Sequence, residues 1–213
     1  MRVSKEELVA VLSPFNPWWR GEAIADLPKW RRAAFRELQE WLTSPPAPRA
    51  VLLAGARQIG KTTLMLQAVD ALLRDGVPSA NILYVTFDHP ILKLAGIDAV
   101  LEAWREREPK VDGPEYLFLD EAQFIRDWGT WVKHQVDFRK DRRIAFTGSA
   151  MPLVEVGQES GVGRWHTIRL TTLSFYEYLQ IKNLTLPALP RLKTLRDLFD
   201  WPQSDFYRVT EAA

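Results

Sequence analysis

Residues 55–62 read GARQIGKT, the spacing G-x-x-x-x-G-K-[ST]. Two glycines let a backbone curl so that successive N–H groups point inward at an anion, and a helix starting there adds its positive end. At such a turn Lys61 would reach the β- and γ-phosphates of a nucleotide, and the Thr62 hydroxyl would join the oxygen shell of Mg²⁺. The neighbouring Thr63 offers a further hydroxyl for the α-phosphate. The plain alternative is a glycine-rich strand-to-helix turn carrying a solvated lysine.

A second group of residues complements the first. Tyr116-Leu117-Phe118-Leu119 is an apolar run that ends in Asp120-Glu121. An aspartate at the carboxyl end of a buried strand is placed to hold Mg²⁺, directly or through water, and the adjacent glutamate to polarise an attacking water. Alone the pair would be an ordinary acidic turn; beside the phosphate loop it reads as a cation site with a general base. Phe146-Thr147-Gly148-Ser149 follows, where Thr147 or Ser149 would contact the attacking water or cap a helix. Arg164, in a glycine-bearing loop, reads either as a charge-stabilising arginine, in cis or from a neighbouring subunit, or as a surface ion-pair partner. No N-K-x-D guanine-reading motif is present, so the set points to ATP.

These groups need a scaffold that brings strand ends together. Apolar runs at 50–54, 82–87, 116–120, 143–147 and 167–170 alternate with helical patterns. One pattern carries Leu64, Ala68, Ala71 and Leu72, another Ile97, Val100, Leu101 and Trp104, and a third Trp128, Trp131, Val132 and Val136. Near-continuous apolar strands separated by helices predict an α/β fold, a doubly wound parallel sheet of about five strands. Its ligands belong at the carboxyl ends of the strands. Ahead of the sheet, Ser4 with Glu7 makes a capping box for a helix over about 5–12, and Trp30, Ala34, Leu38, Trp41 and Leu42 predict a second helix. The proline-rich stretch 44–49 reads as a linker. The expected organisation is an N-terminal helical arm and linker (1–49), a P-loop core (50–182) and a C-terminal extension (183–213).

Bulk composition narrows the class. The 213 residues, 46% hydrophobic and 26% charged, are those of an ordinary globular protein, and 28 basic against 27 acidic residues give no electrostatic argument for nucleic acid. The clusters Arg31-Arg32 and Lys140, Arg142, Arg143 have acids nearby and read as solvated faces. There are no cysteines, so disulfides and thiolate chemistry are excluded, and three scattered histidines lack metal-ligand spacing. No apolar run approaches a membrane span, and the charged start predicts a cytoplasmic protein. Nine tryptophans, mostly in helical patterns, read as core.

Together the segments GARQIGKTTL (55–64), NILYVTFDHP (81–90), YLFLDEAQ (116–123), the W-x-x-W-V-K-x-x-x-D run from Trp128 to Asp137, FTGSA (146–150) and GRWHTIRLTTLSFYEYL (163–179) resemble a prokaryotic AAA-type ATPase family. Its members usually join an N-terminal P-loop domain to a C-terminal domain of unknown function. The similarity spans roughly 16–180. It implies a P-loop NTPase core of the AAA-like, additional-catalytic-glutamate type. ATP binding falls to Gly55, Ala56, Arg57, Gln58, Ile59, Gly60, Lys61, Thr62 and Thr63, and Mg²⁺ binding to Thr62 and Asp120. Catalytic parts fall to Lys61, Glu121, Ser149 and Arg164. Asn16-Pro17-Trp18-Trp19 would touch the adenine or pin the arm to the core. Ala56 and Thr172 stand where prolines are common in the family, and Ser174 with Glu177 makes a structural capping box. The C-terminal domain that the resemblance implies does not follow residue 185, so a naturally short chain or a fragment is expected.

The leading functional expectation is Mg²⁺-dependent ATP hydrolysis driving a conformational change in a protein partner or a neighbouring copy in a homo-oligomer. A nucleotide-controlled protein- or nucleic-acid-binding module with little turnover is the alternative. A P-loop kinase is a third reading.

Overall fold

In the computed structural model, which describes residues 3–148 and 163–183, five parallel strands form one sheet. They are β1 (Ala50–Ala54), β2 (Ile82–Thr86), β3 (Glu115–Asp120), β4 (Arg142–Gly148) and β5 (Trp165–Arg169). Their order across the sheet is β2-β3-β4-β1-β5. The strands lie within one or two residues of the five apolar runs, because strands buried on both faces need unbroken apolar sequence. Residues inside each strand alternate between two cores, as the two-residue period of a strand requires. Leu52, Leu83, Val85, Leu117, Leu119, Ile144 and Phe146 face one core, with the helices α1 (Lys5–Phe15), α5 (Ile97–Arg107) and α6 (Trp128–Phe138). Val51, Leu53, Ile82, Tyr84, Tyr116, Phe118 and Ala145 face the other, with α2 (Ala34–Thr43) and α3 (Lys61–Arg74). A short helix α4 (Pro90–Ala95) precedes α5.

The N-terminal residues are part of this packing. Leu8 and Leu12 of α1 are buried in the first core, and α1 opens with the expected capping box, Glu7 N–H donating to Ser4 Oγ (3.2 Å) and Ser4 N–H to Glu7 Oε2 (2.9 Å). The next residues close the exposed edge of the sheet at β2. Asn16 is fully buried; its amide donates to the carbonyls of Leu12 and Tyr84 (both 2.8 Å) and accepts from Tyr84 N–H (2.8 Å), as a paired strand would. The indole N–H groups of Trp18 and Trp19 both donate to Ile82 O (3.1 Å). An edge whose donors and acceptors are occupied is not free to pair with another chain. The Asn16–Trp19 loop thus pins the arm to the sheet.

Trp18, Trp104 and Trp128 are core residues. The chain divides into two compact units at Thr171–Thr172. Of the second, the described part contains the helix Phe175–Ile181, opened by a capping box of Ser174 and Glu177. Among the described residues, no helix is long and apolar enough to cross a membrane.

Candidate functional site at the carboxyl ends of the strands

β1 ends at Ala54 and hands the chain to residues 55–60, which turn it into α3. Gly55 sits at φ +154°, where a Cβ would lie 2.3 Å from Leu170 O and from Ile59 Cδ1. Gly60, at φ +90°, caps the first turn of α3. Only residues without a Cβ take such angles cheaply. Gln58 (φ 62°) completes the curl. From the first turn of the helix Lys61 folds back under the loop. The residue is 5% exposed, and Nζ donates to Gly55 O (2.9 Å) and Ala56 O (2.7 Å). Arg32 braces the loop from outside, donating to Ile59 O and Thr171 O (both 3.0 Å).

Beside this loop stands the end of β3. Asp120 is 4% exposed, so its carboxylate must find its partners inside the protein. Oδ2 accepts from Thr62 Oγ1 (2.6 Å) and Tyr84 OH (2.9 Å), and Oδ1 accepts from Thr147 Oγ1 and from Glu121 N–H (3.2 Å). The sheet explains the convergence. Leu119 lies beside Phe146, so Asp120 and Thr147 follow as neighbours at the strand ends. Tyr84 and Asp120 share the face on which α3 presents Thr62, and Tyr84 lies beside Phe118, one two-residue step below Asp120. Burial, then the charge of Asp120, pushes the Tyr84 phenol well above its ordinary range, so it acts as a donor. The chain turns sharply at Glu121 (φ 53°, ψ 48°), whose N–H also donates to Thr147 Oγ1 (2.9 Å) and whose Oε2 accepts from Gln123 Nε2.

The resulting cleft, about 470 Å³, is lined by Arg57, Gln58, Gly60, Lys61, Thr62, Thr63, Asp88 and Glu121. The structure therefore brings Arg57 to Thr63, Asp120 and Glu121 to one strand-end edge, with Gly55, Ala56 and Ile59 supplying the loop backbone that Lys61 and Arg32 hold. Ser149 lies outside the described residues. Arg164 is not brought to this cleft. Its backbone carbonyl accepts from Ala50 N–H (3.0 Å), at the start of β1, and β5 runs parallel to β1. A five-residue strand of about 16 Å separates it from the phosphate loop. Its guanidinium instead pairs with Asp137 of α6 (Nε to Oδ1, 2.7 Å). Within its own chain Arg164 thus makes an ion pair away from the phosphate loop.

Three contributors were absent from the sequence reading. Tyr84 is hidden in an apolar run, and its parity with Asp120 across neighbouring strands is the signal that locates it. Asp88 follows β2 as Glu121 follows β3 and lines the same edge. Gln123 lies two residues beyond Glu121 on a short helical turn.

Comparison with known proteins agrees with this geometry. The AAA domain family matches residues 47–179. An uncharacterized protein of Haemophilus influenzae is 32% identical over 139 residues, 62% of this chain; the chain spans 34% of that protein's length. Two solved structures share the fold. Cdc6p from Pyrobaculum aerophilum superposes with a TM-score of 0.52 at 19% identity, covering 76% of this chain and 51% of that one. Hsp104 of S. cerevisiae in complex with ADP superposes with a TM-score of 0.55 at 16% identity, covering 73% of this chain and 24% of that one. The parallel five-stranded sheet, the loop GARQIGKT at the end of β1 and the acidic pair at the end of β3 are those of an AAA-type P-loop ATPase fold, and the chain belongs to the AAA domain family.

Proposed function

We propose that the cleft binds ATP with Mg²⁺ and hydrolyses it, and that the cycle moves a partner or a neighbouring copy of the chain. The observation that carries this reading is the 2.6 Å contact between Thr62 Oγ1 and Asp120 Oδ2, with Lys61 and Glu121 on the same cleft. Hydroxyl and carboxylate oxygens are the hard donors Mg²⁺ takes, and a threonine that gives its hydrogen to Asp120 keeps oxygen lone pairs for a cation, so the residues fit the metal. When bound, the metal supplies charge neutralisation of the phosphates.

The chain's own residues do the rest. Backbone N–H groups of Gly60 to Thr63, at the start of a 14-residue helix, bind the phosphate oxygens. Lys61 exchanges the carbonyls of Gly55 and Ala56 for β- and γ-phosphate oxygens, so that loading the cleft rearranges the loop. Glu121 takes the proton of a water positioned for in-line attack, once its carboxylate leaves Gln123. Thr147 ties Asp120 to the Glu121 backbone and so links the cation site to the base. The ADP held by the structural neighbour Hsp104 supports the choice of nucleotide.

Equilibrium binding of ATP tests the first half of the reading. Lys61→Ala should lose measurable affinity at a temperature where circular dichroism shows the variant still folded; equal affinity in both proteins would refute the reading. A nucleotide-controlled binding module is distinguished by tight binding without turnover, and a kinase by transfer of the γ-phosphate to a small molecule in place of water.

A further inference from the structure

We infer that Tyr84 is a positioning residue for the cation site, a fixed donor to Oδ2 that holds Asp120 in the orientation in which it takes Mg²⁺. The inference rests on the reading of the cleft given above. Three hydroxyls and one backbone N–H hold the Asp120 carboxylate, and no cation pairs with it among the described residues, since Lys61 is engaged by the loop. These four donors differ in how firmly they are themselves held. Thr62 is exposed, sits in the first turn of α3 and is a ligand of the metal in the proposed cycle. The Glu121 N–H contact is long (3.2 Å) and belongs to a residue at a strained turn. Thr147 is fully buried and lies beside Leu53 of β1, and its hydroxyl serves the other oxygen, Oδ1.

Tyr84 is different. The residue is 5% exposed and stands in the middle of β2. Its own backbone is clamped on both sides. Phe118 lies beside it on β3, and Asn16 closes the other side through its N–H and its carbonyl, each at 2.8 Å. A phenol has a rigid ring and two side-chain torsions, so a hydroxyl on a locked strand is a fixed point in space. It donates to Oδ2, the oxygen that Thr62 also contacts. The Asn16 clamp, the Tyr84 strand and the Tyr84 hydroxyl form one continuous support running from the N-terminal arm to the cation-binding carboxylate. Partners that orient a metal-binding carboxylate change metal affinity by about 10–100-fold when removed.

The test uses the whole chain and a fluorescent ATP analogue. Nucleotide binding is measured in EDTA, then as a function of Mg²⁺ concentration, for wild type, Tyr84→Phe and the control Tyr116→Phe. Tyr116 lies on the same face but at the opposite end of β3, away from Asp120. Tyr84→Phe is expected to raise the half-saturating Mg²⁺ concentration about tenfold, while the affinity in EDTA stays within about twofold of wild type and Tyr116→Phe leaves both unchanged. An unshifted Mg²⁺ midpoint in Tyr84→Phe overturns the inference, as does an equal loss of affinity with and without Mg²⁺, which would mark a merely structural tyrosine. A wild type whose nucleotide binding ignores Mg²⁺ instead overturns the cation site itself. Melting in EDTA identifies any folding defect, and Asn16→Asp, which keeps the Tyr84 hydroxyl but withdraws one side of its clamp, is expected to shift the Mg²⁺ midpoint in the same direction.

Discussion

The two glycines of GARQIGKT are interchangeable in the motif but not in the structure. Gly60 has φ +90° and open space around a built Cβ, so Gly60→Ala costs backbone strain alone, about 1–3 kcal/mol. Gly55 also has a positive φ, and its Cβ would lie 2.3 Å from Leu170 O. The Ile59 methyl on the other side can swing away, whereas the Leu170 carbonyl cannot, because Leu170 N–H donates to Ala54 O (2.8 Å) and continues the β1–β5 ladder. Relief therefore means overpacking, at about 1–3 kcal/mol, and a weakened ladder hydrogen bond, at about 1 kcal/mol, on top of the same backbone strain. The total for Gly55→Ala is about 3–7 kcal/mol. For a chain of this size about 2–4 °C of melting temperature is lost per kcal/mol, so the falls expected at the middle of each range are about 6 °C for Gly60→Ala and about 15 °C for Gly55→Ala. Thermal unfolding by circular dichroism without nucleotide reads this directly. Equal melting temperatures for the two variants would show that Leu170 yields freely and would refute the packing argument.

Other perturbations separate the parts of the account. Asn16→Ala leaves Tyr84 N–H, Tyr84 O and Leu12 O without their buried partner and should cost about 2–4 kcal/mol in urea unfolding; a change below about 0.5 kcal/mol would mean that the β2 edge is not held by this side chain. Thr147→Val removes a donor from Asp120 and an acceptor from the Glu121 N–H, so ATP turnover should fall about ten- to a hundredfold with nucleotide affinity in EDTA retained. The hydrogen bond from Lys110 (2.6 Å) holds the Asp141 carboxyl below the ordinary aspartate range. That pairing stabilises the fold above the unfolded value of about 3.9 and is lost as pH falls through the lowered folded value. Both side chains are over a third exposed, so the gain is under about 1 kcal/mol, and Lys110→Met should flatten the acid limb of the stability curve below about pH 4.

Much of the cleft was legible because its chemistry is written in short contiguous segments. A phosphate loop needs its glycines, lysine and threonine at fixed spacing, and a strand buried on both faces announces itself as an apolar run ending in Asp120 and Glu121. The direction of β5 was legible too and places Arg164 within its own chain. In a parallel sheet the residue before a strand lies at the edge opposite the ligands, which is where Arg164 meets Asp137. Tyr84 was hidden because it reads as one more apolar residue of ILYVTF; its role depends on the register of β2 against β3 and on its sharing a face with Asp120. Asn16 was hidden for a similar reason. Its side chain replaces a missing neighbour strand, and that need appears only once β2 is known to lie at the edge of the sheet.

The central claim is that Glu121 activates water at a site where Lys61, Thr62 and Asp120 hold a nucleotide and its cation. Single-turnover hydrolysis of ATP with Mg²⁺, measured for wild type and Glu121→Gln, tests it most directly. Both proteins should bind ATP with similar affinity, and Glu121→Gln should hydrolyse it at least about a hundredfold more slowly. Equal rates in the two proteins, or a wild type that binds ATP and leaves it intact, would contradict it.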